Sequence, residues 1–467
     1  MDWTERRVTI LGFARQGMAL ARHLVARGAR VTLSDMKPAA ALSAEMAALQ
    51  GLPIRYALGG HPASLLDQCD LLCLSGGVPI DLPIVLEARR RAVPLSNDSQ
   101  IFFDICPASI IGITGSAGKT TTTTLVGEML QAEYTAVERF EPAAGQPVGV
   151  WVGGNIGNPL IADVERIQPC DKVVMELSSF QLELMTRSPH IACITNITPN
   201  HLDRHGTMDA YTQAKRHILD YQSADDWAVL NADNQITAQL QTPARRVWSS
   251  LLREPAGDGA WLDDNMQLRL RLSGCAVDEV VCGSAELLLM GNHNVQNVLT
   301  AAAISALAGA SLPSIRQVAR SFKGVAHRLQ LVRELNGVRY YDDSIATAPE
   351  RLMAALRCFG QPIVLLCGGR DKHLPWAEAV QLMNERCRHA VLFGEMAGLV
   401  RAEVVRQQAG LETTVCETLE QAVMRASQVA QPGDVVLLSP GGTSYDAFKD
   451  FEERGDYFTQ LVWAYKD

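Results

Sequence analysis

The sequence predicts an α/β protein of three parallel-sheet domains, and three observations carry that expectation. Apolar runs of strand length recur along the chain, at 7–12, 29–35, 70–75, 109–114, 172–176, 191–196, 362–367 and 435–438. Most end in a glycine- or hydroxyl-rich turn and are followed by a helix-like segment, the pattern of buried parallel strands joined by crossover helices. At 467 residues the chain is too long for one core, and about three domains of ordinary size are expected. The expected boundaries are 1–105, 106–324 and 325–467.

Composition narrows the class. A chain 47% hydrophobic and 20% charged is that of a soluble globular protein. A net charge of −9 argues against a nucleic-acid partner, since no basic run offers a phosphate footprint. Arg89-Arg90-Arg91 closes a helix-like segment and reads as a solvated terminus. No apolar stretch reaches the roughly 18 residues that span a bilayer, and residues 1–10 lack a signal-peptide pattern. No membrane insertion and a cytoplasmic location are therefore expected. The 11 cysteines are scattered. Cys69 and Cys73 lack the second pair or histidines of a zinc set, so most cysteines read as core residues in a reducing compartment.

In the first domain, strand 7–12 leads through Phe13-Ala14-Arg15-Gln16-Gly17 into a helix, and strand 29–35 ends in Asp35. This is a dinucleotide-binding βαβ layout with Gly12 and Gly17 in place, but Ala14 stands where the middle glycine belongs. That side chain blocks close approach of backbone to a pyrophosphate, which disfavours a dehydrogenase; a uridine-type nucleotide held by this turn and by Asp35 fits better. Strand 70–75 runs into Ser75-Gly76-Gly77-Val78-Pro79, a turn at the strand end where open α/β sheets hold ligands.

The second domain opens on Ser109-Ile110-Ile111-Gly112-Ile113-Thr114-Gly115-Ser116-Ala117-Gly118-Lys119-Thr120-Thr121. A strand, a glycine turn and a helix start make a phosphate cradle, with backbone N–H groups from Gly115 to Thr121 converging on an anion. Lys119 would reach the β/γ-phosphates and Thr120 would place a hydroxyl on Mg²⁺. Ile113 replaces the first glycine of the standard pattern. The stretch reads as an ATP site. A loose segment, 138–148, precedes the glycine turn 151–159. Strand 172–176 ends in Glu176, where a nucleotide-bound Mg²⁺ needs an oxygen ligand, whereas Glu183 reads as a solvated helical residue. Strand 191–196 leads to His201. Helix 209–220 carries Tyr211 and Lys215, and a lone helical lysine ordinarily lies on the surface. Short alternating runs over 246–290, including 268–272, 279–282 and 287–290, read as β-strands appended to the parallel sheet. An alanine-rich helix to about residue 307 follows, with Asn294 as its expected N-cap.

The third domain repeats the α/β pattern, with strands near 329–334, 338–341, 362–367, 390–393 and 435–438. Its polar turns, at 342–349, 368–372 and 439–446, place a polar ligand on the carboxyl edge of the sheet. The three domains are thus a Rossmann-like N-terminal domain, a central P-loop ATPase domain with appended β-strands, and a C-terminal Rossmann-like α/β domain.

Taken together, the phosphate loop, Gly153-Gly154-Asn155-Ile156-Gly157, Glu176 through Glu183, His201 through Arg204, Tyr211 through Lys215, Gly291 through Asn294, His327-Arg328, Asp343-Ser344 and 438–455 resemble the Mur ligase family over essentially the whole chain. The resemblance implies an ATP-dependent ligase that joins glutamate to UDP-N-acetylmuramoyl-L-alanine through an acyl phosphate and a tetrahedral intermediate, acting as a monomer. It implies two Mg²⁺ sites, the first held by Thr120 and Glu176 and the second served by His201 and Lys215, with Lys215 carbamylated. Asn155 is implied near the acyl group and the γ-phosphate. Asn294, Asn297, Arg328 and Asp343 would hold ATP, with Arg328 arriving as the third domain closes. Thr347, Lys372, Ser444, Tyr445 and Phe451 would hold the amino acid, and Gly12, Gly17, Asp35, Ser75, Gly76 and Gly77 the uridine nucleotide.

Three residues depart from the family pattern. Ala117 replaces an asparagine, Asn200 replaces a carboxylate, and Ile345 stands where many members carry a lysine near the amino acid. The last removes a cation from the amino-acid pocket and leaves D- and L-glutamate both open. Two further functions fit the residues less well. A folylpolyglutamate-synthetase-like ligase would share the ATPase core but not a uridine-type first domain. A non-catalytic nucleotide-binding relative would not need Lys119, Glu176, His201 and Lys215 all intact.

Overall fold

The structure is a computed structural model describing residues 2–135, 148–273, 277–289, 291–372 and 374–465. It divides into two compact units, Met1–Phe322 and Lys323–Asp467. Most of the loose segment expected at 138–148 lies outside the described residues.

The first unit holds two sheets. One comprises β1 (Arg7–Leu11), β2 (Arg30–Asp35), β3 (Ile54–Leu58), β4 (Leu71–Leu74) and β5 (Leu95–Ser96), ordered β3-β2-β1-β4-β5 and parallel throughout. The other comprises β6 (Ser109–Thr114), β7 (Val150–Gly154), β8 (Lys172–Glu176), β9 (Ile191–Ile194), β10 (Trp227–Asn231), β11 (Arg245–Ser250), β12 (Gly259–Leu262), β13 (Gln267–Leu272) and β14 (Val277–Gly283). Its order is β14-β13-β12-β11-β10-β9-β6-β8-β7. The phosphate-loop strand β6 lies between β8 and β9, so the loops after β6, β8 and β9 emerge side by side. From β7 to β12 the neighbours are parallel, and β12-β13-β14 is the antiparallel extension.

One apolar core runs beneath both sheets, from Ile10, Leu20 and Phe102 to Leu160, Met175 and Leu182. A polar seam crosses the same junction. Asn97 Nδ2 donates to the Gln181 carbonyl at 2.8 Å, Gln181 Nε2 donates to Ser99 Oγ at 2.8 Å, and the Thr186 N–H donates to Gln100 Oε1 at 2.7 Å. Buried polar groups need such partners, so the seam sets the register of one sheet against the other.

The second unit is a six-stranded sheet of β15 (Gln330–Leu335), β16 (Val338–Asp342), β17 (Ile363–Gly368), β18 (Cys387–Phe393), β19 (Glu412–Cys416) and β20 (Val435–Gly441), ordered β15-β16-β20-β17-β18-β19. Only β15-β16 is antiparallel. Apolar clusters cover both of its faces.

Several expectations need correction. Residues 287–289 are not a strand: the chain leaves β14 through a short 3-10 turn at Ser284–Glu286 and then runs as bend and coil. Asn294 is not the N-cap; Gly291 is, with φ +88°, and Asn294 lies inside helix Asn292–Leu307. The segment read only as a glycine turn begins as β7. β3, β5 and β19 are short or half-exposed strands whose pattern is weak, and pairing with a neighbour decides them.

Candidate active site

The phosphate loop sets the geometry of the first unit. Gly115 and Gly118 take φ of +150° and +82°, values that side chains disfavour. A Cβ on Gly118 would lie 2.3 Å from Asn297 Oδ1, and Asn297 Nδ2 donates to Asn294 Oδ1 at 3.2 Å. The loop therefore touches Asn297, which in turn holds Asn294, the other asparagine expected at the nucleotide. The loop backbone is pinned at Ala117, whose N–H donates to Asn196 Oδ1 at 3.0 Å and whose carbonyl accepts from Thr195 Oγ1 at 2.6 Å. Position 117 is thus held through its main chain, which explains why alanine serves there.

Helix Lys119–Thr135 starts at the loop and presents Lys119, Thr120 and Thr121 in its first turn. Lys119 Nζ folds back onto the Gly115 carbonyl at 2.9 Å. Thr120 Oγ1 donates to Glu176 Oε2 at 2.8 Å, and Asn155 Nδ2 donates to Glu176 Oε1 at 2.9 Å. Glu176, buried at the end of β8, thus joins the loop to the turn after β7. The backbone repeats that link, since the Asn155 N–H donates to the Glu176 carbonyl at 2.9 Å.

Lys215 does not lie on the surface, the ordinary place of a lone helical lysine. It is 1% exposed, on the inner face of helix Met208–Asp220. Its Nζ donates to the Gly115 carbonyl at 2.9 Å and lies 4.7 Å from the Tyr211 ring centroid. Tyr211 Oη in turn lies 3.0 Å from Ser116 Oγ. Burial, and then the Lys119 charge, push the Lys215 amine down to about 7, against the opposing pull of Glu176. An amine in that range is substantially neutral near neutral pH, the form that reacts with carbon dioxide.

His201 is exposed, with φ +53°, and joins the group through Phe180, whose ring it meets edge-on at 5.4 Å. Phe180 stacks on His205 at 5.1 Å, and His205 contacts Ser179 Oγ at 2.9 Å and Glu183 Oε1 at 3.0 Å. Glu183 is therefore a paired, mostly enclosed residue rather than a solvated one. Asn200 is exposed, and nothing in the structure explains its departure from the family pattern. Sequence reasoning missed the role of Gln181, which closes a capping box with Ser178 as well as holding the seam. The Ser-x-x-Gln spacing was the available signal.

The uridine-type candidates form a separate group at the carboxyl ends of β1, β2 and β4. Gly12 has φ +93°, and Ser75 Oγ donates to its carbonyl at 3.1 Å. A Cβ on Gly17 would lie 2.1 Å from that carbonyl. The Gly76 N–H donates to Gln16 Oε1 at 3.1 Å, and Gly77 has open space around its Cα. Asp35 accepts from the N–H groups of Phe13 and Lys37 at 2.8 and 2.9 Å, so it also shapes the turn. Arg15 ties this group to the first, donating to the Gly157 carbonyl at 3.3 Å.

In the second unit, Asp343 is buried, accepts from Ser439 Oγ at 2.9 Å, and is pushed up to about 7 by burial despite the nearby Arg328 charge. Lys372 Nζ donates to Thr347 Oγ1 at 3.1 Å. The Phe451 carbonyl accepts from Ser344 Oγ at 2.8 Å, Ser444 is buried, and Tyr445 is 64% exposed.

A glycine loop on a parallel strand, backed by a threonine-carboxylate pair and an enclosed lysine, defines a phosphate-handling α/β enzyme. Comparison with known proteins makes this specific. Residues 6–96 match the family described as Mur ligase MurD-like, N-terminal domain. Residues 113–305 match the Mur ligase middle domain, and residues 327–442 the Mur ligase, glutamate ligase domain. The UDP-N-acetylmuramoylalanine--D-glutamate ligase of Pelotomaculum thermopropionicum is 40% identical over 467 residues, covering 100% of this chain and 99% of its own. The ligase of the same name from Symbiobacterium thermophilum is 42% identical over 463 residues, covering 98% of each. Among solved structures, UDP-N-acetylmuramate-alanine ligase MurC from Thermotoga maritima shares the fold with a TM-score of 0.54 at 20% identity, covering 98% of this chain and 100% of that one. The chain belongs to the Mur ligase family and is a ligase.

Proposed function

We propose that the chain joins D-glutamate to UDP-N-acetylmuramoyl-L-alanine at the expense of ATP, a step in building the peptidoglycan precursor. The observation that carries this reading is the convergence of Lys119, Thr120, Asn155, Glu176 and Lys215 on one glycine loop. The relatives named as D-glutamate ligases, aligned over the full chain, support the choice of substrates.

In this reading residues 1–105 bind the UDP-substrate, 106–324 bind ATP and 325–467 bind the amino acid. The alanine carboxylate takes the γ-phosphoryl group and ADP departs. The glutamate amine then attacks the acyl carbon, the tetrahedral intermediate expels phosphate, and the nitrogen loses a proton to leave the amide. Little covalent work falls to the protein, whose part is to position the reactants and neutralise charge. Lys119 and the loop N–H groups hold the phosphates, and Asn155 steadies the transferring group. Asn294 and Asn297 bind nucleotide beside Gly118, and Arg328 and Asp343 keep their nucleotide roles.

Thr120 and Glu176 offer the hydroxyl and carboxylate oxygens that magnesium takes. Among the described residues no three histidine, cysteine or carboxylate side chains gather to hold a metal by themselves. The fit is therefore to an ion that also draws on the phosphates of ATP. When bound, magnesium supplies charge neutralisation at the phosphoryl oxygens. A second ion at His201 and Lys215 requires Lys215 as its carbamate, since an ammonium is no ligand. Among the described residues no helix is long and apolar enough to cross a membrane; a cytoplasmic location belongs to this reading because its substrates do.

The test is phosphate release with ATP, Mg²⁺ and UDP-N-acetylmuramoyl-L-alanine, with D-glutamate and L-glutamate in parallel. Turnover with D-glutamate is the expected result. Turnover with L-glutamate alone would reassign the stereochemistry, and silence with both would overturn the reading.

A further inference from the structure

Two cations of the second unit share one five-residue turn. Lys372 Nζ donates to Thr347 Oγ1 at 3.1 Å, and Arg351 donates from its guanidinium to the Ile345 carbonyl at 3.2 Å. Residues 343–347 are held firmly. Arg454, 0% exposed, donates to Ser344 Oγ at 3.0 Å and to the Ser344 carbonyl at 2.8 Å. The Gly441 N–H donates to the Ala346 carbonyl at 2.7 Å, which fixes the turn to the end of β20, just before Ser444. Ile345 itself brings no charge, but its carbonyl anchors one.

Other arginines at this end of the sheet are committed elsewhere. Arg370 makes a two-point contact with Glu395 at 2.9 Å, and Arg454 is consumed by Ser344 and the Gly442 carbonyl. Lys372 and Arg351, in contrast, form no ion pair with a carboxylate among the described residues. They feel each other: burial, then the Arg351 charge, hold the Lys372 ammonium below its ordinary value, with Glu350 pulling the other way. Two like charges over one rigid turn suit an anion with two carboxylates.

We propose that Arg351 is a specificity residue, taking one carboxylate of the incoming glutamate while Lys372 takes the other. This rests on the glutamate-ligase reading above and deepens it. An arginine edge meets a carboxylate at two points, and one contact to the Ile345 carbonyl leaves the rest of that edge for substrate. The cationic function that Ile345 cannot supply thus comes from the following helix, Pro349–Leu356.

The test is steady-state kinetics of the full chain, wild type against Arg351→Met and Arg351→Lys, varying glutamate, ATP and the UDP-substrate in turn. Arg351 is exposed, so neither substitution opens the core. Losing a charge-assisted contact should raise the glutamate KM of Arg351→Met by about 10- to 100-fold. The kcat and both other KM values should stay near wild type, and Arg351→Lys should recover part of the loss. An unchanged glutamate KM in Arg351→Met, with an active wild type, overturns this proposal and leaves the ligase reading standing. A fall in kcat with no change in glutamate KM also overturns it. A wild type inactive with both glutamate enantiomers overturns the ligase reading and this proposal together.

Discussion

Thr120 Oγ1 and Glu176 Oε2, 56 positions apart in sequence, are joined by a 2.8 Å hydrogen bond at the lip of the phosphate loop. The pair links the start of helix Lys119–Thr135 to the end of β8, and Asn155 occupies the second carboxylate oxygen. Glu176→Gln keeps the shape but removes the charge. Turnover should fall about 100- to 1,000-fold, and the Mg²⁺ concentration for half-maximal rate should rise. A magnesium titration of the variant checks this; an unchanged Mg²⁺ requirement would remove Glu176 from the metal site.

Lys215, with its amine at about 7, is neutral above that pH and charged below it. Carbamate formation should therefore increase as pH rises through 7. Stripping carbon dioxide from enzyme and buffers should lower activity, and bicarbonate should restore it. Lys215→Arg, which stays charged, should be inactive in both conditions. A ¹³C-bicarbonate label seen by NMR in the wild type and absent from Lys215→Arg would place the modification on this residue.

Gly118 combines a φ of +82° with an Asn297 oxygen 2.3 Å from where a Cβ would stand. Gly118→Ala must strain the loop or displace Asn297. ATP affinity, read by isothermal titration, should drop at least about tenfold, while circular dichroism stays native. Undiminished ATP binding would mean that the loop relaxes without cost.

Asp98 is fully enclosed at the start of helix Asp98–Ile105, and its Oδ1 has no hydrogen-bond partner among the described residues. Burial pushes its carboxyl up to about 6 from an ordinary 3.8. A raised carboxyl favours the fold while protonated, fully below pH 3.8, and that contribution disappears as pH rises through 6. The loss is on the order of 3 kcal/mol. Asp98→Asn should flatten this dependence and match or exceed the wild-type urea midpoint at pH 7.5. A variant less stable than wild type at pH 7.5 would show that the carboxylate is needed there.

Local pattern made much of the molecule legible. A strand, a glycine turn and a helix start within thirteen residues identify the phosphate loop, because the backbone geometry that binds an anion is encoded in neighbouring residues. Asp35, Ser75 and Glu176 stand out for the same reason, each at the end of an apolar run. The short strands β3 and β5 were illegible, since their stability comes from β2 and β4 beside them.

From the sequence by itself follow the α/β class, the phosphate loop and the acid that faces it, because strand period, glycine placement and helix starts act over a few residues. Only the tertiary structure buries Lys215, seats Gln181 across the two sheets, pairs Glu183 with His205 and brings Arg351 to the carbonyl of Ile345. Those facts depend on which surface packs against which. A helix carries a lysine in the same way whether its face meets water or a phosphate loop, and the difference arises only when distant segments exclude solvent between them.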